Sequence, residues 1–214
     1  QLSYIEREPG VDDYEVNMLV SERYIRVDEV CEERGFIIYD DKLKKIFSVS
    51  QFDKSVLVIN EHAISEKDSP VKQEVEYLEL ADAPSVSGRK IYNYRVFTGS
   101  GENEETCAEL QIVDGLLPGV SKMLRNYLRV VSGQQVKMTN NIVDDIQTPC
   151  FYVDQIYNTG AYYEKGLPIQ EWHSNDRSKI LTTYKKVKVD PDKFAYPEEY
   201  RKFSVDDSTR MSLD

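Results

Sequence analysis

The sequence lacks the marks of most familiar chemistries. No apolar run approaches the ~20 residues that a membrane-spanning helix needs, so a helical span is excluded. No G-x-S-x-G elbow, Walker loop, dinucleotide fingerprint or D-x-D-x-D-G calcium loop occurs. That removes the usual sequence grounds for an α/β-hydrolase, an NTPase, a dinucleotide enzyme or an EF-hand. Histidine is scarce: only His62 and His173 are present, and neither lies near Cys31, Cys107 or Cys150 in sequence. The cysteines form no C-x-x-C pair, so no zinc site of ordinary spacing and no other cofactor is expected. A catalytic triad would have to use one of the two histidines, and both fall in polar segments where a surface role is ordinary. No catalytic residue is assigned, and an enzyme is not expected. Basic residues are outnumbered, 27 against 38 acidic, for a net charge of −11. Nucleic acid is therefore not an expected partner, because a polyanion would be repelled on average.

What is present points to sheet. Fifteen tyrosines and seven phenylalanines are many for 214 residues, and both types suit a pleated, half-buried surface. Period-two alternation runs through residues 14–20, 24–28, 36–39, 45–49 and 55–59, with short polar turns between them. These runs predict consecutive antiparallel strands. Residues 60–73 are a polar link with Pro70; alternation resumes over 74–80, 90–98 and 105–113. Strands are expected again over 150–157, near 168–172 and over 179–189. Asp190-Pro191-Asp192-Lys193-Phe194 reads as a tight turn that drops Phe194 onto the core, and residues from about 204 to 214 as a frayed tail. The length fits one domain over residues 1–214.

One segment changes period. Leu116, Leu117, Val120, Met123, Leu124, Tyr127, Leu128 and Val131 recur at three- and four-residue steps, with Pro118 suited to a first helical turn and Gly133 to an end. A second, weaker helical turn is placed within residues 134–148. The predicted fold is mainly β with minor α: a sheet of eight or more strands curled around the apolar helix. Its face then either completes a dry core or leaves a groove for a lipid or acyl chain, with Leu117, Val120, Leu124, Tyr127 and Leu128 as candidate lining residues.

Other features have bland readings. Lys42, Lys44 and Lys45, and Lys185, Lys186 and Lys188, are read as outward or edge-protecting lysines. The acid pairs Asp12-Asp13, Glu32-Glu33, Asp40-Asp41, Asp144-Asp145 and Asp206-Asp207 are expected from composition alone, and neighbours on a strand point to opposite faces. Cys107 and Cys150 each fall in a predicted strand. If those strands are neighbours, the two cysteines can form a disulfide worth roughly 4 kcal/mol by loop entropy, with Cys31 free. The alternative is three buried thiols. The chain opens on Gln1-Leu2-Ser3 rather than on Met. This reads as a mature or trimmed start, so a missing signal peptide says nothing about secretion.

The order of elements resembles the LolA-like (lipoprotein-sorting) superfamily of bacterial envelope proteins, most of all its uncharacterised members. The resemblance rests on Tyr24-Ile25-Arg26-Val27-Asp28, Ile37-Ile38-Tyr39-Asp40 and Lys45-Ile46-Phe47-Ser48-Val49, then on Gly166-Leu167-Pro168-Ile169, Lys179-Ile180-Leu181-Thr182-Thr183-Tyr184 and Phe194-x-x-Pro197-x-x-Tyr200. It implies a half-barrel with one or two helices on the concave face, a periplasmic or outer-membrane-associated location, and no enzyme activity. The implied partners are a lipid, a lipoprotein acyl chain or another envelope protein. The chain departs from the family in offering one convincing helix where carriers have a larger lid. A shallow groove, or a structural and protein-interaction module with a filled core, is the alternative function, and a hydrolase using an acid pair or His173 a more distant one.

Overall fold

The computed structural model describes residues 1–29, 35–139 and 147–204. Among the described residues, twelve strands form one open, curved, mixed sheet. The alternating runs form β2 (Tyr14–Val20), β3 (Tyr24–Glu29), β4 (Gly35–Asp40), β5 (Lys45–Ser50) and β6 (Ser55–Asn60), each antiparallel to the next. A second meander holds β7 (Gln73–Glu79), β8 (Ile91–Thr98), β9 (Glu105–Asp114), β10 (Gly166–His173) and β11 (Ser178–Tyr184). The two are joined by β1 (Leu2–Arg7), which pairs with β2 on one side and β11 on the other.

Strand β1 is not among the expected elements. Its alternation is only Leu2, Tyr4 and Glu6, too short to stand out, and one of its two partner strands lies at the far end of the sequence. A further short strand, β12 (Arg201–Ser204), runs parallel to β6, so the sheet is not purely antiparallel as expected. The chain reaches that edge by crossing the outer face of the sheet. Phe194 stacks on Tyr24 with ring centroids 5.3 Å apart, and Tyr196 lies 5.4 Å from Phe47. These rings cover a small outer cluster of Phe36, Ile38, Val49 and Val56. The strand expected over 179–189 stops at Tyr184 because the chain turns onto this crossing path.

Helix α1 (Pro118–Met138) packs against β3, β5, β6 and β10. Its buried Met123, Leu124 and Val130 join Tyr4, Val16, Ile25, Tyr39, Leu110 and Ile112 in the main core. Each such side chain contributes roughly 1.5–3 kcal/mol on burial. Asp41, the residue after β4, accepts hydrogen bonds from Tyr39 and from Asn126 of α1, both at 2.8 Å, which ties the helix to the sheet.

Two expectations about helices need correction. Gly133 does not end α1. A Cβ there would lie 2.7 Å from the His62 carbonyl oxygen, so this glycine lets the link after β6 approach the helix. The strand expected over 150–157 is instead a helix, with π winding over Phe151–Tyr157 (α2). Buried Cys150, just ahead of it, and its buried Val153 and Ile156 recur every third residue. That is a helical face, which the aromatic content of the segment disguised. The weaker helical turn expected within 134–148 falls partly in the last turns of α1 and otherwise outside the described residues.

Candidate functional site

The candidate site begins as a row of charges across the inner face of the sheet. In β10 the register against β9 shifts between Pro168 and Gln170, so that Glu171 rather than Gln170 stands opposite Leu110. Such an irregularity re-aims the side chains that follow it. On the other side Glu171 faces Lys179 of β11, and Lys179 faces Glu6 of β1. Three adjacent strands therefore present acid, base and acid side by side where apolar residues would ordinarily pack. Lys179 Nζ donates to Glu6 Oε1 at 2.8 Å and lies 4.3 Å over the Tyr4 ring.

Above this row lies a pocket of about 310 Å³. Its helix side is Leu124, Tyr127, Leu128 and Val131, continued by Met18; its other walls are the charged row, Asp154 of α2, and Tyr162 and Tyr163 from the turn after it. His173 bridges two of these walls. Its Nδ1 is 2.9 Å from Asp154 Oδ1, and its Nε2 is 3.6 Å from Glu171 Oε2. Burial works to lower the imidazole pKa, but the bonds to Asp154 and Glu171 outweigh it and raise the value from 6.5 to about 9. His173 is thus not the surface loop residue that the sequence implied. Burial, with Glu171 next in importance, pushes the hydroxyls of Tyr4, Tyr162 and Tyr163 well above their ordinary range. The Tyr4 hydroxyl is buried and has no hydrogen-bond partner among the described residues.

Of the five candidate groove residues, Leu124, Tyr127 and Leu128 line this pocket. Val120 packs against the main core. Leu117 stands just ahead of α1 in the left-handed region, at φ +48°. The groove is not the uniformly apolar one expected, because the sheet supplies charge opposite the helix. Glu6, Asp154, Glu171 and Lys179 are not among the residues expected from sequence. The signal for the strand residues is partial: Glu171 and His173 stand two apart at the end of a strand that begins apolar at Leu167, Pro168 and Ile169. A larger recess of about 520 Å³ flanks α1 at Arg125, Arg129 and His62, away from the groove residues.

Cys107 of β9 and Cys150 ahead of α2 form a disulfide, which holds the Asp154-bearing segment to the sheet. Cys31 lies outside the described residues, as do Glu32-Glu33, Asp144-Asp145 and Asp206-Asp207. Among the described residues no group of three His, Cys, Asp or Glu side chains is placed to hold a metal ion. No described helix is long and apolar enough to cross a membrane.

No family model and no curated protein matches the chain. Among solved structures, it is similar to an uncharacterized conserved protein from Thermus thermophilus, with a TM-score of 0.45 and 8% identity, over 95% of this chain and 89% of that one. It is also similar to PNGF-II, with a TM-score of 0.43 and 9% identity, over 99% of this chain but only 32% of PNGF-II. Neither likeness bears on what this chain binds.

Proposed function

We propose that the chain is a non-enzymatic, LolA-like protein of the bacterial cell envelope that holds the end of a lipid, an acyl chain or a lipidated partner in the pocket beneath α1. The observation that carries this reading is the pocket's make-up: one wall is the apolar stripe of Leu124, Leu128 and Val131, with Met18 beside it, and the opposite wall is polar. An amphipathic molecule matches both walls, and about 310 Å³ lies at the lower end of the range for small-molecule sites. A disulfide between Cys107 and Cys150 supports a location outside the reducing cytosol, in the periplasm or at the outer membrane. Both ring nitrogens of His173 are turned to carboxylates. Neither is left for a hydroxyl or thiol nucleophile, which supports binding over hydrolysis.

Native mass spectrometry of gently purified protein tests this. A co-purifying lipid mass, or stoichiometric uptake of an added amphiphile such as decanol, is expected. A clean apo mass with no uptake of such probes would refute it.

A further inference from the structure

The charges around the pocket are not all balanced at the same depth. At the mouth, Arg7 pairs with Asp13 at 2.8 Å, and Arg177 stands 3.7 Å from Glu8. Deeper in, Lys179 is bound to Glu6, and His173 to Asp154. That leaves Glu171, which is only 5% exposed. Among the described residues its nearest donor is His173 Nε2 at 3.6 Å, whose single positive charge is shared with Asp154, so two carboxylates meet one cation. Its strand neighbour Lys179 leans toward Glu6. A buried carboxylate with only a share in one cation is stabilised by a second, because removal from water is costly unless compensated.

The surroundings of Glu171 favour a cation. Tyr127, Tyr162 and Tyr163 line the same pocket, and aromatic faces attract ammonium groups within about 6 Å. The whole chain, at −11, draws cations toward it. Beyond the tyrosines, Leu124, Leu128 and Val131 offer an apolar track for whatever the cation is attached to.

We infer that the ligand of this pocket carries an organic ammonium group, which sits against Glu171 within the tyrosine walls while an attached apolar chain lies along α1. The inference rests on the binding reading above and names the chemistry of the bound end. An amine-bearing lipid headgroup and a free alkylamine share this chemistry.

Calorimetric titration with three probes of matched chain length, decyltrimethylammonium, decanol and decyl sulfate, at concentrations below their micelle formation, separates the possibilities. The ammonium probe is expected to bind roughly tenfold or more tightly than the other two. Glu171→Gln is expected to abolish that preference. Equal binding of all three would overturn the ammonium inference but leave the pocket a binding site, and stronger binding of the sulfate would do the same. No binding of any probe would overturn both. Preference retained in a folded Glu171→Gln variant would remove Glu171 from the site and with it the inference. If that variant does not fold, the ranking of the probes on the wild-type protein decides alone, with dioleoyl phosphatidylethanolamine and phosphatidylglycerol vesicles then separating lipid from free amine.

Discussion

Raising the pH should loosen this protein through one residue. The imidazole of His173 binds its proton with a pKa of about 9 in the folded chain, against 6.5 when unperturbed. At about 1.4 kcal/mol per tenfold change in proton affinity, this amounts to roughly 3 kcal/mol of native-state stabilisation. Because the folded value is the higher one, the contribution is fully present below pH 6.5. It then fades as pH rises through about 9. Most other groups stay outside this window. The pKa values of Asp13, Asp40 and Asp41 are lowered, so what they contribute is lost only in acid. The buried tyrosines are raised and act only in strong alkali. The N-terminal amine, lowered by burial and by Lys185, works in the opposite sense but is common to any variant. Urea unfolding of the oxidised protein, followed by the fluorescence of Trp172, the single tryptophan, should therefore show stability falling between pH 6 and pH 9.5. In His173→Gln the fall should flatten, with the gap between the two proteins widest near pH 6. Parallel pH profiles for wild type and His173→Gln would refute the bridge from Asp154 to Glu171.

Three further outcomes follow from the packing. Cys107→Ser, or reduction of the disulfide, should cost about 4 kcal/mol by loop entropy, read as a lower urea midpoint. Gly133→Ala should destabilise by about 1–3 kcal/mol in thermal melts, although alanine is the better helix former, because the new Cβ meets the His62 backbone. Arg23→Ala should cost about 2 kcal/mol in the same melts: it strips Asp40, 3% exposed, of the guanidinium that meets both its oxygens at 3.1 and 2.7 Å.

The strands are legible where alternation is long enough to read. Residues 14–20, 36–39 and 90–98 announce one buried face each, and the helix beginning at Pro118 declares itself by its three- and four-residue spacing. What escapes is structure fixed by distant partners. β1 is three inward residues that only β2 and β11 make into a strand. α2 hides a three-residue period, Cys150, Val153 and Ile156, among aromatic residues that favour strands. The candidate site is half visible for a related reason. Leu124, Tyr127 and Leu128 belong to a periodic stripe. Glu171, Lys179 and Glu6 come together only through the pairing of β10 with β11 and of β11 with β1, while the shift after Pro168 sets Glu171 against Leu110 of β9. Charge at inward positions of a strand is the available clue.

The central claim is that the space between α1 and the charged row receives the end of an amphipathic ligand. Leu128→Trp places a large ring at the apolar wall of that space without touching the charged row. Titrating decanol, the uncharged probe, into both proteins tests the claim most directly. The account predicts saturable uptake by the wild type and about tenfold weaker uptake by Leu128→Trp, with thermal midpoints that agree. Equal uptake by both proteins would contradict it.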